Sequence, residues 1–284
     1  MPKPRGTQAR SESATNNPRK SGIIAPLLLI TFILGAIGYG WHVAKNSTVA
    51  IDETTLCATD RPPSSVHVIL IDVSDQLSIL AQEEVTQEIE RIQAKLQQLD
   101  RLEIYGLGID ESGATRALFA ACNPGRGKDM NALYQNPELA EKRWNRDFRQ
   151  AISAKLNAII NSGESDQSLI LEAIRGISVR TFGRPDFDFS KKYLYVFSDL
   201  LQNNPGSYTH YSRPLLSYDA FLASGLHASA QSNLTGVEVE FYYLSPPEVR
   251  PLQNAEHLRF WETYVNRSGG SFGPRPVTRI LGGE

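Results

Sequence analysis

The sequence predicts an α/β domain in which helices cover both faces of a single, mostly parallel sheet. Two strand-length segments, SSVHVILID and KKYLYVFSD, are apolar almost to their ends, where each reaches an acid. Unbroken apolar runs of this kind are typical of strands that are buried on both faces. Helical patterns alternate with these strands and with further ones, and that alternation favours a parallel sheet whose crossovers share one hand.

The N-terminal segment divides into a basic tail and an apolar stretch. Residues 1–20 carry five Lys or Arg against one acid, and they have too few apolar side chains to order themselves. Residues 21–44 carry no charge and are long enough to cross a bilayer as a helix. A cleaved signal peptide is the alternative, but its apolar core is normally shorter, and His42 stands where a small residue would precede cleavage at Ala44. The prediction is an uncleaved transmembrane helix.

The charge bias around this helix predicts its orientation. Five basic residues precede it and Lys45 alone follows closely, which places the N-terminus in the cytoplasm. The rest of the chain would then be periplasmic in a bacterium, or otherwise extracytoplasmic. Residues 45–64 are polar and proline-marked, as expected of a linker. The chain has two cysteines, Cys57 and Cys122, and an even number in an oxidising compartment predicts a disulfide; two free buried thiols are the alternative.

The domain itself spans residues 65–284, and each of its elements has a recognisable pattern. Residues 78–99 place apolar side chains three and four positions apart, which predicts a helix with one buried stripe. Residues 101–109 and 115–122 have strand patterns joined by a short turn, so these strands are expected to pair antiparallel. Further helices are predicted at 137–163, 168–177, 216–225 and 254–270, and further strands at 191–199, 236–245 and within 271–281.

Two acids stand at the predicted strand ends, Asp72 after VILI and Asp199 after YLYVFS. Ligands of open α/β sheets bind outside the carboxyl ends of the strands. Two carboxylates that meet there repel each other unless a cation lies between them or one is protonated. Ser74 faces the same way as Asp72 if the strand alternation continues, and such oxygen ligands suit Mg²⁺. The alternative is that Asp72, Ser74 and Asp199 only accept backbone N–H groups at helix starts.

At these residues the sequence resembles the von Willebrand factor A family, which includes the integrin I domains. The metal-ion-dependent adhesion motif of that family reads Asp-x-Ser-x-Ser, followed by a threonine at a helix start and an aspartate at a later strand end. The matching positions, with glutamine for the second serine and serine for the threonine, are Asp72, Ser74, Gln76, Ser168 and Asp199. Ser165 is the competing candidate for the threonine position.

This resemblance covers about residues 65–282. It implies a Rossmann-like sheet with one antiparallel edge strand, and a Mg²⁺ ion that joins the domain to an acidic side chain of a partner protein. A loop at 202–215 directly follows Asp199 and carries Tyr208, His210 and Tyr211. Exposed rings beside a site are typical of interfaces, so these three are predicted to contact the partner.

The function predicted from the sequence is a membrane-anchored, extracytoplasmic protein-binding module without catalytic activity, whose partner is another protein of the envelope or the membrane. The balance of 29 basic against 31 acidic side chains argues against nucleic acid. A metal-assisted hydrolase using Asp72 and Asp199 is the rival from another class, but the sequence has neither a Gly-x-Ser-x-Gly elbow nor a phosphate-binding loop. A structural subunit of an envelope assembly with a vestigial site is the third reading, and Gln76 favours it.

Overall fold

The computed structural model describes residues 21–47, 49–72, 74, 77–107, 116–130, 132, 136–161, 165–212 and 216–281. The chain forms two compact units, whose boundary lies between Val49 and Ala50. The predicted basic tail at 1–20 lies outside the described residues.

The first unit contains helix α1, Ser21–Ser47, where the sequence predicts a helix. Its large apolar side chains are exposed, with Leu28 at 65% and Phe32 at 76%. Across the part of the chain that the structure describes, no helix is long and apolar enough to span a membrane. The structure therefore does not confirm the transmembrane assignment of residues 21–44.

The second unit is built on a six-stranded sheet in the order β3-β2-β1-β4-β7-β8. Strand β3 at one edge pairs antiparallel with β2, and all other neighbours pair parallel. The strands are β1 Ser65–Asp72, β2 Arg101–Leu107, β3 Phe119–Cys122, β4 Lys191–Ser198, β7 Val237–Leu244 and β8 Ser271–Ile280. Two short strands, β5 Asn203–Asn204 and β6 Tyr208–Thr209, form a separate hairpin. The mostly parallel α/β sheet predicted from the sequence is confirmed.

Helices cover both faces of the sheet, as the alternating pattern predicts. One core cluster packs the sheet against α5, α6, α7 and α8, and the other packs it against α2 and α4. The helices of this unit are α2 Ile79–Lys95, α3 Pro137–Arg143, α4 Gln150–Ile160, α5 Ile170–Ile177, α6 Tyr218–Ala223, α7 Leu226–Ala230 and α8 Ala255–Arg267. Because every central strand is buried on both faces, their continuous apolar sequences have a direct physical cause.

Three elements differ from the predicted bounds. The helix predicted at 137–163 contains a π-helical segment, Trp144–Arg149, between α3 and α4. Helix α2 ends at Lys95 rather than 99, because Leu96 is extended and Leu99 has a positive φ of 69°. The strand predicted within 271–281 extends over ten residues, since β8 pairs with β7 on both sides of an irregularity between Val239 and Phe241.

The compact unit begins at Ala50, ahead of the predicted domain start at 65. Residues Ile51 and Ala58 form an antiparallel bridge, and the amide of Cys122 donates to the carbonyl of Thr55 at 2.8 Å. The structure contains the predicted disulfide, Cys57–Cys122, with a Cα–Cα distance of 4.8 Å. Part of the predicted linker is therefore fastened to strand β3.

Candidate functional site

The carboxylate of Asp72 is the centre of a cluster of serine hydroxyls. Asp72 is the last residue of β1 and is 5% exposed. Its Oδ1 accepts from the backbone amide of Ser74 at 3.0 Å and from the Ser74 hydroxyl at 2.7 Å. Its Oδ2 accepts from the hydroxyls of Ser168 and Ser198, both at 2.8 Å. Four hydrogen-bond donors thus surround one buried carboxylate.

Three separate elements bring these serines together. Ser74 follows β1 directly, and Ser198 ends the adjacent strand β4, where Ile71 pairs with Phe197. Ser168 precedes α5 and is held by a two-way backbone pairing with Asn203, at 3.0 and 2.8 Å. The cluster therefore fixes the carboxyl edge of the sheet to the start of α5, at the edge where α/β sheets bind ligands.

The structure distinguishes between the two candidate serines before α5. The hydroxyl of Ser168 reaches Asp72, whereas that of Ser165 donates to the backbone carbonyl of Gln167 at 3.0 Å. Among the described residues, Ser165 approaches the site through its amide, which donates to the Ser74 carbonyl at 3.0 Å. Gln76, the fifth predicted ligand, lies outside the described residues.

Asp199 lies next to this cluster in sequence, and one of its carboxylate oxygens accepts a hydrogen bond within its own turn. It is 7% exposed, and its Oδ1 accepts from the amide of Leu201 at 2.9 Å. Its backbone carbonyl accepts from the side-chain amide of Gln253 at 3.1 Å. The hydroxyl that β4 contributes to Asp72 comes from Ser198, which the sequence reasoning did not name as a site residue. Its position at the end of a strand paired with β1 is the signal that could have found it.

The turn after Asp199 has an unusual backbone. Leu200 has a φ of 61°, a left-handed conformation that a leucine rarely adopts. Its carbonyl accepts from Trp261 Nε1 and His257 Nε2, both at 2.9 Å, and lies 3.2 Å from His210 Nδ1. On the other side of its ring, His257 Nδ1 lies 2.5 Å from the Tyr243 hydroxyl.

Burial keeps the two histidines that contact this turn, His257 of α8 and His210, neutral. It lowers the pKa of His257 to about 4. Burial and the neighbouring His257 lower the pKa of His210 well below its ordinary value. Within the described part of the chain, His210 Nε2 is buried and has no hydrogen-bond partner. The two imidazoles therefore hold the turn as neutral hydrogen-bonding groups and add no positive charge beside Asp199.

The predicted partner contacts are only partly available at the surface. Tyr208 and His210 are each 1% exposed, so their prediction as exposed contacts is wrong. Both rings pack against Phe260 of α8, at centroid distances of 5.9 and 4.5 Å. The hairpin of β5 and β6 turns them into the core, where their apolar area is removed from water. Tyr211 is 47% exposed.

The side chains around Asp72 offer the oxygen ligands of a hard-cation site with a single carboxylate. Asp72, Ser74 and Ser168 supply only oxygen atoms, the ligands that Mg²⁺ prefers. Each hydroxyl donates its proton to Asp72 and keeps lone pairs free to coordinate an ion. The residues present fit Mg²⁺ in ligand type, although no group of three or more His, Cys, Asp or Glu among the described residues could hold a metal ion.

No protein-family model matches the chain, and no curated protein matches it. Among solved structures, the conserved hypothetical protein BatB from Bacteroides thetaiotaomicron is 16% identical, with 65% of this chain and 68% of that chain covered and a TM-score of 0.33. An aerotolerance-related membrane protein from Bacteroides fragilis, carrying multiple mutations to serines, is 13% identical, with 64% and 67% covered and a TM-score of 0.31. Both similarities are too distant to assign a function to this chain.

Proposed function

We propose that the protein is a binding module that recognises a partner protein at the carboxyl edge of its sheet, around Asp72, and that it catalyses no reaction. The observation that carries the proposal is the buried Asp72 carboxylate with hydroxyl donors from three separate elements. Two of these donors, Ser74 and Ser168, occupy positions that match the adhesion motif of the von Willebrand factor A family. Among the described residues the cluster provides carboxylate and hydroxyl oxygens, which are the ligands of a hard cation.

Asp72, Ser74 and Ser168 are the residues that would hold Mg²⁺, with Gln76 and Asp199 as further candidates from the motif. When bound, the ion would supply a positive charge that a carboxylate of the partner can approach. The chain's part is to hold the oxygen atoms in place, and the hydrogen bonds between the serines and Asp72 do this at distances of 2.7 and 2.8 Å.

The proposed setting is the outer face of a membrane, with residues 21–44 as the anchor and the domain extracytoplasmic. The uncharged composition of this segment and the basic residues before it support the anchor and its direction. The disulfide Cys57–Cys122 supports an oxidising compartment. The partner is then another protein of the envelope or the membrane.

The experiment that tests this function is copurification from detergent extracts of the full-length chain, with and without a chelator. Asp72→Asn keeps the size of the side chain but removes its charge, and we expect it to lose the partner. Asp188→Asn is the matched control, because Asp188 is an exposed aspartate that precedes β4 and lies away from the carboxyl ends of the strands. Recovery of the same partner by both variants, in chelator as well as in Mg²⁺, would contradict the proposal.

A second candidate function is purely structural, and the hydrogen bonds that already satisfy Asp72 favour it. Four donors already satisfy this carboxylate without any cation. If Mg²⁺ leaves the melting temperature unchanged and Asp199→Asn raises it, the cluster serves to tie the loops together. The hydrolase function would be favoured instead if the protein turned over phosphatase, nuclease or esterase substrates and Asp72→Ala abolished that activity.

A further inference from the structure

A second group of polar side chains lies at the other end of the sheet from Asp72, where β1 begins at Ser65. A cleft of about 320 Å³ opens there, on the sheet face that α2 covers. Its walls are formed by neighbouring strands, with His67 from β1, Tyr193 and Tyr195 from β4, and Glu238 and Glu240 from β7. The volume is at the lower end of the range of small-ligand pockets.

Two carboxylates in this cleft converge on one glycine. A β-carbon at Gly273 would lie 2.8 Å from Glu240 Oε1 and 2.9 Å from Glu238 Oε1, so the two oxygens converge beside this glycine. Glu240 is 5% exposed, and the Tyr242 hydroxyl donates to its other oxygen, Oε2, at 3.3 Å. The neighbouring Arg275 interacts with the charge of Glu240, but its Nη2 donates to Glu88 at 3.3 Å and to the Tyr242 hydroxyl at 3.2 Å rather than to Glu240.

Aromatic rings stand beside the two carboxylates. The rings of His67 and Tyr193 stack with centroids 4.5 Å apart, and those of Tyr193 and Tyr195 are nearly parallel at 6.4 Å. In the strand register Tyr193 pairs with Glu238, and Tyr195 pairs with Glu240. Burial lowers the pKa of His67 to about 4, so this imidazole is uncharged at neutral pH and does not repel a cation. Carboxylates and aromatic rings are the groups that bind organic cations.

We propose that this cleft binds an organic cation, a primary ammonium or a guanidinium group, between Glu238 and Glu240 and beside the tyrosine rings. Two carboxylates that converge in this way repel each other, and a buried charge requires a partner. An organic cation is favoured over a metal because, in the described ranges, no group of three or more His, Cys, Asp or Glu could hold a metal ion. The alternative occupants are the chain's own Lys95 and Lys191, which also line the cleft.

The test measures binding to the full-length chain in detergent by the shift in melting temperature, with a titration for affinity. The cationic probes are butylammonium, agmatine and a capped Gly-Lys-Gly peptide, and the controls are butyrate and butanol. We expect the cationic probes alone to raise the melting temperature, because they bind the native state. Glu240→Gln should weaken their binding by about tenfold or more, since it removes a charge-assisted contact. The exposed Glu248→Gln is the matched control and should keep the wild-type affinity.

Two further readouts separate loss of binding from loss of folding. Glu240→Gln also removes the repulsion, so it should raise the melting temperature of the ligand-free chain. Gly273→Ala keeps every charge but places a methyl group against both carboxylates and displaces them, so it should abolish the response to butylammonium. The proposal is overturned if no cationic probe stabilises the wild-type chain. It is also overturned if Glu240→Gln binds as the wild type does.

The relative affinity of the probes identifies the source of the cation. A capped Gly-Lys-Gly peptide that binds about tenfold tighter than butylammonium, a difference of one good hydrogen bond, would indicate a lysine of a polypeptide. Equal affinities would indicate a free amine. Either result supports the proposed chemistry of the cleft. Because the cleft shares no residue with the cluster around Asp72, both results are independent of the proposed partner site.

Discussion

The backbone carbonyl of Leu200 accepts a hydrogen bond from the indole of Trp261, with 2.9 Å between Leu200 O and Trp261 Nε1. Leu200 is fully buried and has a left-handed backbone, with a φ of 61°. This conformation is unfavourable for a residue with a β-carbon, so surrounding contacts must maintain it. Because Leu200 directly follows Ser198 and Asp199, Trp261 fixes the turn that carries both side chains.

Trp261→Phe should lower the free energy of unfolding, because the Leu200 carbonyl would lose a buried donor. We expect about 1–3 kcal/mol from the lost hydrogen bond, in addition to the cost of the smaller ring. Urea denaturation measures the change. Trp144→Phe is the matched control, since Trp144 is also buried but its Nε1 has no hydrogen-bond partner within the described structure. Equal losses for the two variants would contradict the role assigned to this hydrogen bond.

The stability of the domain should fall as the pH is lowered from 6.5 to about 4. Burial lowers the pKa of His67 and of His257 to about 4, below the ordinary value of 6.5. In this range the unfolded chain binds protons that the folded chain excludes, so acid favours unfolding. At pH 4, protonation linked to each histidine would lower the free energy of unfolding by about 3 kcal/mol. Urea denaturation over this range should give a shallower pH dependence for His257→Gln than for the wild type, and identical slopes would contradict the assignment.

Reduction of Cys57–Cys122 should destabilise the domain. The bond closes a loop with a sequence separation of 65, and loop-closure entropy predicts a loss of about 4 kcal/mol when it is opened. The free energy of unfolding of Cys57→Ser with Cys122→Ser, compared with that of the oxidised wild type, measures this loss. Thiol labelling of the denatured, non-reduced wild-type chain should find no free cysteine. Stoichiometric labelling of both cysteines would refute the bond.

Gln76→Ser tests the proposed Mg²⁺ site, because it restores the hydroxyl found at this position in the adhesion motif. We expect Mg²⁺ to raise the melting temperature of this variant more than that of the wild type. A ligand at about 100 times its Kd stabilises the native state by about 2.7 kcal/mol. Asp72→Asn in the same background should abolish the response. The site would not be a metal site if Mg²⁺ leaves Gln76→Ser unchanged at millimolar concentration.

The strands could be predicted because burial on both faces leaves continuous apolar sequences such as VILI and YLYVF. The approach of Asp72 and Ser168 could be inferred only by resemblance, since 96 positions separate them. Ser198 was missed because its role depends on strand register. It lies beside Asp72 only because β4 pairs with β1 and Ile71 lies opposite Phe197.

The predicted exposure of Tyr208 and His210 failed for a different physical reason. Polar and glycine residues around them indicate a loop, but composition does not specify which way a loop's rings face. The short pairing of Asn204 with Tyr208 folds the segment back, and Phe260 of α8 supplies the apolar surface that buries both rings. The π-helical segment Trp144–Arg149 was not predicted either, because the sequence pattern there predicts a single α-helix.

The segment fastened by Cys57 also bears on how the protein behaves at high concentration. A free sheet edge offers unpaired amides to other chains and so promotes aggregation. At the β3 edge the amide of Cys122 is already occupied by the carbonyl of Thr55, at 2.8 Å. The disulfide Cys57–Cys122 holds this covering segment against β3. Cells that fail to oxidise this cysteine pair would therefore accumulate chains that are prone to associate edge to edge, before any loss of the central sheet.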